Sequence, residues 1–494
     1  MIRRNHNNSG AHIPALTALA ALLATLAPAS TLAPAQPAPV TLAFTHGGDL
    51  RLRDEFSYAV ATLNADVPPN SPGATQNVIR LRARVWASLA APAIPLSLNA
   101  ALAAEPRAFT KGANFGTFAN QTGVEWRYAI IEQLNLRCEN VFSLPLTLTI
   151  GRQNLTGANP WLLGDGTPFD GSFTLFFDAL RAQFEIKKAR TTLDLVALRQ
   201  TADPDGHLPV IGRTNLVNGT ADSYKLTEQN ERGLILTAAN TSLKNTRLEA
   251  SFIYKRDALS RLRPDAPDGT KRWRSNGSDG EIYTLTARAS GQPAAHWDYS
   301  SDVAYQFGHK NDLYTHGRER RDISACAFNA RLTYKFNDAL KNKISLVAEH
   351  LSGDKGGGRK DGMFDILWGR WPRFSEMSVF HYLNETNGRP GQLNNLQRLG
   401  LEWSAALAKS TNIHVTYNAL RAPEKSPTRV LFARRDDTFS RDGNFRGHFF
   451  SALVNHNFTK QIAGHILAEV LTQGNYYKHT GPQCFLRAQT SYAW

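Results

Sequence analysis

The chain alternates apolar and polar positions. Over Val78–Trp86 (Val-Ile-Arg-Leu-Arg-Ala-Arg-Val-Trp), Ile79, Leu81, Ala83 and Val85 fall on one side of an extended backbone and Arg80, Arg82, Arg84 and Trp86 on the other. Strand side chains alternate with a period of two, so this stretch predicts a β-strand. Leu50 and Leu52 likewise oppose Arg51, Arg53 and Glu55. Four later stretches repeat the pattern cleanly. Trp297, Tyr299, Val303, Tyr305 and Phe307 oppose Asp298, Ser300, Asp302 and Gln306, and Phe328, Ala330, Leu332, Tyr334 and Phe336 oppose Asn329, Arg331, Thr333 and Lys335. Leu399, Leu401, Trp403 and Ala405 oppose Arg398, Glu402 and Ser404, and Ile413, Val415, Tyr417 and Ala419 oppose Asn412, His414, Thr416 and Asn418. The last stretch sets Leu486, Ala488, Thr490, Tyr492 and Trp494 against Arg487, Gln489 and Ser491.

A single strand with an arginine face fits a soluble sheet equally well. Apolar faces this regular, carried to the last residue, require lipid outside and water inside. The expected fold is all-β, a transmembrane antiparallel β-barrel of about 18 strands. Short connections are expected at 91–95, Asn140–Pro145, Lys187–Arg190, Gly291–Ala294, Asn337–Asn342, Ala408–Ser410 and Thr459–Gln461. Long ones are expected at about 201–229, 256–280, 308–322, 353–395 and 421–445. Short periplasmic turns and long extracellular loops give barrels this asymmetry. The segments 100–137 and 233–240 are weakly patterned, so the strand count is loose there.

Composition narrows the partners. The 494 residues carry a net charge of +14, with a pI of about 9.7 and a mean hydropathy of −0.35. No apolar run reaches the roughly 20 residues a membrane helix needs, a test that barrel strands escape. Arg3, Arg4 and His6 lead into the apolar run Ile13–Ala27, with small residues after it. This pattern predicts a cleaved secretory signal over 1–35, a periplasmic N-terminal segment over 36–47 and a barrel over 48–494. An exported chain excludes nucleic acid as partner despite the charge, and an acidic glycan becomes the natural one. The expected location is the outer membrane of a Gram-negative type cell, with lipid, lipopolysaccharide and the barrel-assembly machinery as further partners. Cys138, Cys326 and Cys484 lie too far apart for a metal-binding or CxxC spacing and read as isolated thiols. No cofactor is expected.

Several stretches, in order, resemble the alginate export family of outer-membrane channels. Leu146-Thr-Leu-Thr-Ile-Gly-Arg-Gln153 is similar to its "GRQ" strand end, Gly164-Asp-Gly166 to its "GD" loop, and Phe176-Phe-Asp-Ala-Leu-Arg181 to its "FDG-(V/A)-R" strand. Ala348-Glu-His-Leu-Ser-Gly-Asp354, Phe364-Asp365, Trp371-Pro372 and Leu467-Ala-Glu-Val-Leu-Thr-Gln-Gly-Asn-Tyr-Tyr477 extend the likeness. Ala179 stands where the family has glycine, and Asn475 where it often has aspartate. The resemblance implies a monomeric 18-stranded barrel with a basic pore for an acidic polysaccharide.

The pore or substrate-binding residues expected on this basis are Arg51, Arg53, Arg80, Arg82, Arg84, Arg137, Arg152, Arg181, Arg398 and Arg487, with Asp178, Glu349 and Glu402. Arg247, Arg288 and Arg331 share the polar phase, and Asp194 and Glu249 temper the field alongside Glu349 and Glu402. Guanidinium groups grip carboxylates through forked hydrogen bonds, and a ring of them attracts anions. Arg152 is in phase with Ile150, which points it outward, whereas the resemblance makes it a pore residue; a bulge or a strand end would reconcile the two. Arg82, mid-strand, is expected at the narrowest level. Lumen arginines can equally pair with acids on neighbouring strands and stiffen the wall. The basic stretches Lys255–Arg263 and Arg434-Arg435 read as surface, and Gly353–Gly362, which lacks the phosphate-loop spacing, as a mobile external loop. A general anion-selective porin would use the same architecture. A barrel enzyme is disfavoured, since His350, His414 and His465 are scattered over different strands and no GxSxG element accompanies them.

Overall fold

The computed structural model describes residues 42–494, except 61, 65, 67, 70–73, 92–93, 112–122, 156–160, 164–175, 201–209, 212–229, 259–278, 312–319, 357, 370–373, 379–393, 426–438 and 441; of 125–128 and 210–211 it describes only the backbone. The strands are β1 (Ala43–Tyr58), β2 (Thr75–Ala91), β3 (Leu96–Lys111), β4 (Gly123–Cys138), β5 (Leu146–Gln153), β6 (Phe177–Ile186) and β7 (Thr191–Gln200). A two-residue strip, β8 (Val210–Ile211), precedes β9 (Asn230–Asn240), β10 (Thr246–Ala258), β11 (Glu281–Ala294), β12 (Trp297–Asn311), β13 (Arg320–Lys335) and β14 (Lys343–Leu351). A second strip, β15 (Lys360–Asp361), precedes β16 (Leu396–Ala408), β17 (Thr411–Arg421), β18 (Phe445–Asn457), β19 (Ile462–Gln473) and β20 (Pro482–Ala493).

Without the two strips, 18 antiparallel strands follow one another in chain order, and β1 closes on β20 from Asp49↔Ala493 to Tyr58↔Cys484. Closure removes every unpaired edge, which a chain in lipid must do because the bilayer core offers its backbone no hydrogen bonds. The outer surface is apolar: Leu52, Leu81, Ile150, Leu285, Leu399, Ile466 and Leu486 are exposed, and their sequence neighbours face inward. Outward aromatics pack across strands, Tyr254 on Tyr283 and Tyr283 on Phe307 toward one rim and Trp297 on Tyr334 toward the other, where Phe336 also meets Tyr334 edge-on. Such belts suit the two membrane interfaces. The short turns share one rim with the start of β1 and the end of β20, the periplasmic side in barrels of this kind.

Some expectations shift. β1 begins at Ala43, five residues before Gly48. The turn expected at 291–294 lies at 295–296, because a register irregularity between Gly291 and Ala294 extends β11. The weak patterning of 100–137 has a cause: the β3–β4 pairing shifts register between Ala101 and Leu102 and again between Ala104 and Pro106, which breaks the alternation. Lys255, read as surface, is fully buried inside the barrel on β10; 259–263 and Arg434-Arg435 lie outside the described residues. Gly353–Gly362 is tied down, since Lys360–Asp361 pairs in parallel with Asp322–Ile323 of β13 and Asp354 forks onto Arg321 at 2.6 and 2.9 Å.

The core of this barrel lies in its lumen. Inward-facing Val196, Leu198, Ile235, Ile253, Ile282, Ile323, Leu351, Leu420 and Phe449 pack against loop residues Trp161–Leu163 and Phe364–Trp368. Leu163 bridges to Trp368. The indole of Trp161 donates to Glu349 (3.0 Å) and that of Trp368 to Glu231 (2.8 Å). Inward apolar residues blur the alternation, which is why 233–240 reads weakly although it is a barrel strand.

Two described stretches of the segment between β15 and β16, 362–369 and 374–378, meet the barrel wall at well-separated places. Near one wall, the side-chain amide of Gln306 of β12 donates to the Asp365 carbonyl (2.6 Å) and accepts from the Asp365 backbone N–H (2.8 Å), and Lys255 of β10 reaches the Asp365 carboxylate and the Leu367 carbonyl. About half-way round the barrel, Glu469 of β19 accepts from the Ser375 hydroxyl and from the Glu376 and Met377 amides, while Arg487 of β20 bonds Glu376 at 2.9 Å. Phe374 lies edge-on to Phe449. The segment is therefore a strap, anchored at both walls.

Candidate functional site: an arginine strip along the lumen

The strap holds to the wall at Glu469 and Arg487. Beside it runs a strip of charge on four adjoining strands, β20, β1, β2 and β3. In β1 the inward positions are Asp49, Arg51, Arg53 and Glu55; in β2 they are Arg80, Arg82 and Arg84. Their registers bring them side by side: Arg51 lies across from Arg82, Arg53 from Arg80, and Asp49 from Arg84. Such like-charge apposition would be repulsive alone. Carboxylates are interleaved to offset it.

Glu105 receives Arg51 (3.0 Å), Arg80 (3.0 Å) and Arg107 (2.9 Å). Glu55 receives Arg80 (2.7 Å), Arg487 (2.7 Å) and Arg53 (3.2 Å). Asp49 receives Arg82 (2.7 Å) and Arg84 (2.6 Å). Seven arginines thus converge on Asp49, Glu55, Glu105 and, through Arg487, Glu376 of the strap. Among these named groups the arginines outnumber the carboxylates.

Burial sorts these arginines. Arg51, Arg53 and Arg487 are at most 2% exposed, and Arg80 and Arg82 below a tenth. Arg84, nearest the periplasmic end, leaves a third of its side chain open to the lumen. Three more lumen arginines on other strands are open to a similar degree: Arg137 beside Glu139, Arg247 beside Glu249 and Arg331 beside Glu402. The extracellular half of the lumen is therefore packed, and the periplasmic half presents guanidinium groups.

The remaining expected residues also sit in pairs. Arg181 forks onto Asp194. Arg398 bonds Glu349 (3.0 Å) and Asn418 (3.1 Å), and Glu402 takes both terminal nitrogens of Arg331. Arg288 lies between Glu249 and Asp302. Arg152 and Asp178 bond each other at 2.7 and 2.9 Å, joining the "GRQ" strand end to the following motif strand. The β5 register runs through Arg152 without a bulge; instead Gly151 adopts a φ of +114°, and Arg152 is the last residue but one of its strand. Its guanidinium also donates to the carbonyl of Ile131, just beyond the point where β5 leaves β4, and caps the ring of Phe176. Arg152 and Asp178 therefore brace the wall where two strands part. Gly164–Gly166 and Trp371-Pro372 lie outside the described residues.

Sequence reasoning missed Glu105, Arg107, Glu231, Trp161 and Trp368. Glu105 and Arg107 keep the inward period of β3 set by Asn99, Ala101 and Ala103, but the alanine-rich stretch 100–104 gives that period little contrast in the sequence. The loop tryptophans carry no periodic signal.

The family model described as alginate export matches residues 45–489. The chain belongs to that family. It is an outer-membrane channel barrel, and solved barrels share its fold. Acinetobacter baumannii OccAB1 aligns over 91% of this chain and 96% of its own, with 10% identity and a TM-score of 0.53. The outer membrane protein opdK from Pseudomonas aeruginosa aligns over 91% and 98%, with 9% identity and a TM-score of 0.51. Pseudomonas aeruginosa OccK2 (OpdF), solved in complex with glucuronate, aligns over 91% and 97%, with 11% identity and a TM-score of 0.50. No protein of curated function matches the chain.

Proposed function

We propose that this channel passes an anionic polysaccharide or oligosaccharide, alginate-like in chemistry, by electrostatically assisted diffusion along its arginine-lined lumen. The observation that carries the reading is the strip itself: seven arginines gathered on Asp49, Glu55, Glu105 and Glu376, running down to the half-buried Arg84. Guanidinium groups suit carboxylates strung along a chain, because each offers planar, paired donors. Partial neutralisation by Asp49, Glu249 and Glu402 serves release, since conduction needs sites weak enough to leave. The fold is compatible with sugar acids, as the glucuronate complex of OccK2 illustrates for that protein.

The same reading takes residues 1–35 as a cleaved export signal, the barrel as a monomer without nucleic-acid partners, and the strand ending in Trp494 as the segment read by the assembly machinery. Its outer loops face lipopolysaccharide, and Arg51, Arg53, Arg80, Arg82, Arg181, Arg398 and Arg487 act through the field of the wall.

The test is the reversal potential of the reconstituted protein across a planar bilayer under a KCl gradient. The wild type should prefer chloride, and raising the salt should weaken that preference by screening. Arg84→Glu should cut it further. A cation-selective or indifferent wild type would overturn the proposal.

A further inference from the structure

Trp86 does not belong to the electrostatic account. It follows the arginines of β2 on the same inward phase, opposite Gly47 of β1 and Ala101 of β3. Its indole lies over Gly47: a Cβ there would meet the six-membered ring at 2.7 and 2.9 Å and the Trp494 carbonyl at 2.8 Å. The β1 backbone is thus bare where the ring needs a seat. Even so, Trp86 is 42% exposed. Its sequence neighbour Val85 faces outward, so the open indole surface faces the lumen rather than lipid. Beyond Gly47 and Ala101, the inward positions toward the periplasmic end are polar: Ser88 bonds Asn99 at 2.8 Å, and Asn99 bonds Asn135 at 3.1 Å. Lumen-facing Phe177, Phe449 and Phe485, by contrast, lie in the packed half with the loop tryptophans Trp161 and Trp368.

We infer that Trp86 and Arg84 form a sugar-acid platform in the periplasmic half of the lumen. The inference rests on the anionic-glycan reading and deepens it. An aromatic face left open among polar side chains suits a ligand with both an apolar and a polar aspect. A pyranose uronate has both: its C–H face covers the indole, and its carboxylate meets a guanidinium. Arg84 stands two strand residues from Trp86 on the same face, a step of roughly 7 Å, about one sugar unit with its acid group. Asp49 holds Arg84 through Nε at 2.6 Å and orients the guanidinium along the strip. Asn99 and Asn135 continue the polar surface below.

Single-channel current block by oligomannuronate of three to six units tests the platform, with wild type, Trp86→Ala, Trp86→Phe and Gly47→Ala in parallel. Folding of each variant is checked by its heat-modifiable migration on a gel. Trp86→Ala should shorten the mean blocked time by about threefold to tenfold and leave the chloride preference unchanged. Trp86→Phe should recover most of the loss. Gly47→Ala, which keeps the indole but takes its seat, should shorten the block as Trp86→Ala does. Equal blocked times in wild type and Trp86→Ala would overturn the platform alone. A wild type that oligomannuronate never blocks would overturn the platform together with the channel reading. Where Trp86→Ala fails to fold, the Gly47→Ala blocked time decides: shortening supports the platform and no change overturns it.

Discussion

A buried arginine and an exposed one do different work in the same lumen. Taking a guanidinium out of water costs several kcal/mol, which only close carboxylates and good hydrogen bonds offset. Arg51, Arg53 and Arg487 are in that position, so their primary role is to lock four strands through Glu55 and Glu105. Removing one acid should therefore hurt more than removing an exposed arginine. Glu105→Gln leaves Arg51, Arg80 and Arg107 without their common carboxylate. It should lower stability by about 3–5 kcal/mol, read as a lower urea midpoint in lipid vesicles, whereas Arg84→Ser should shift that midpoint little. The inward direction of these arginines was legible from a two-residue period. Their partners were not, because Glu105 follows an alanine-rich stretch whose two faces differ little in polarity.

At the scale of elements, the strap and the tied-down residues around Asp354 and Lys360–Asp361 are the inward structures held to the wall. Glu469 holds the strap with three hydrogen bonds, so Glu469→Ala should release that end and raise single-channel conductance with added current noise. An unchanged current would mean that the strap does not limit flow. Outside the membrane, burial works to raise the Asp354 carboxyl, but the Arg321 hydrogen bonds and the Gly362 amide prevail and hold it below the usual aspartate range. A depressed folded-state value adds stability above the ordinary aspartate pKa and loses it as the pH falls through the folded-state value. Hydrogen exchange over 352–362 should accordingly stay slow at mildly acid pH and accelerate only in strong acid; Asp354→Asn should be fast throughout. Strand existence and turn positions were readable because lipid enforces alternation. The strap was not, since its anchors Asp365, Glu376 and Trp368 have no period and its inward apolar partners weaken the one in β9.

For the whole molecule, the family motifs prove to be structural joints. Arg152 and Asp178 join two motif strands; Glu349 holds Trp161; Asp354, Asp365 and Glu469 anchor the inward loops. The motifs thus hold the barrel and its internal strap together. The central claim is that the lumen wall takes anionic sugars. Its most direct test is single-channel recording with oligomannuronate or oligoguluronate against neutral oligosaccharides of equal length. The account predicts concentration-dependent block by the uronates, weakening as salt rises, with the neutral sugars largely without effect. Equal block by both, or none by the uronates, would contradict it.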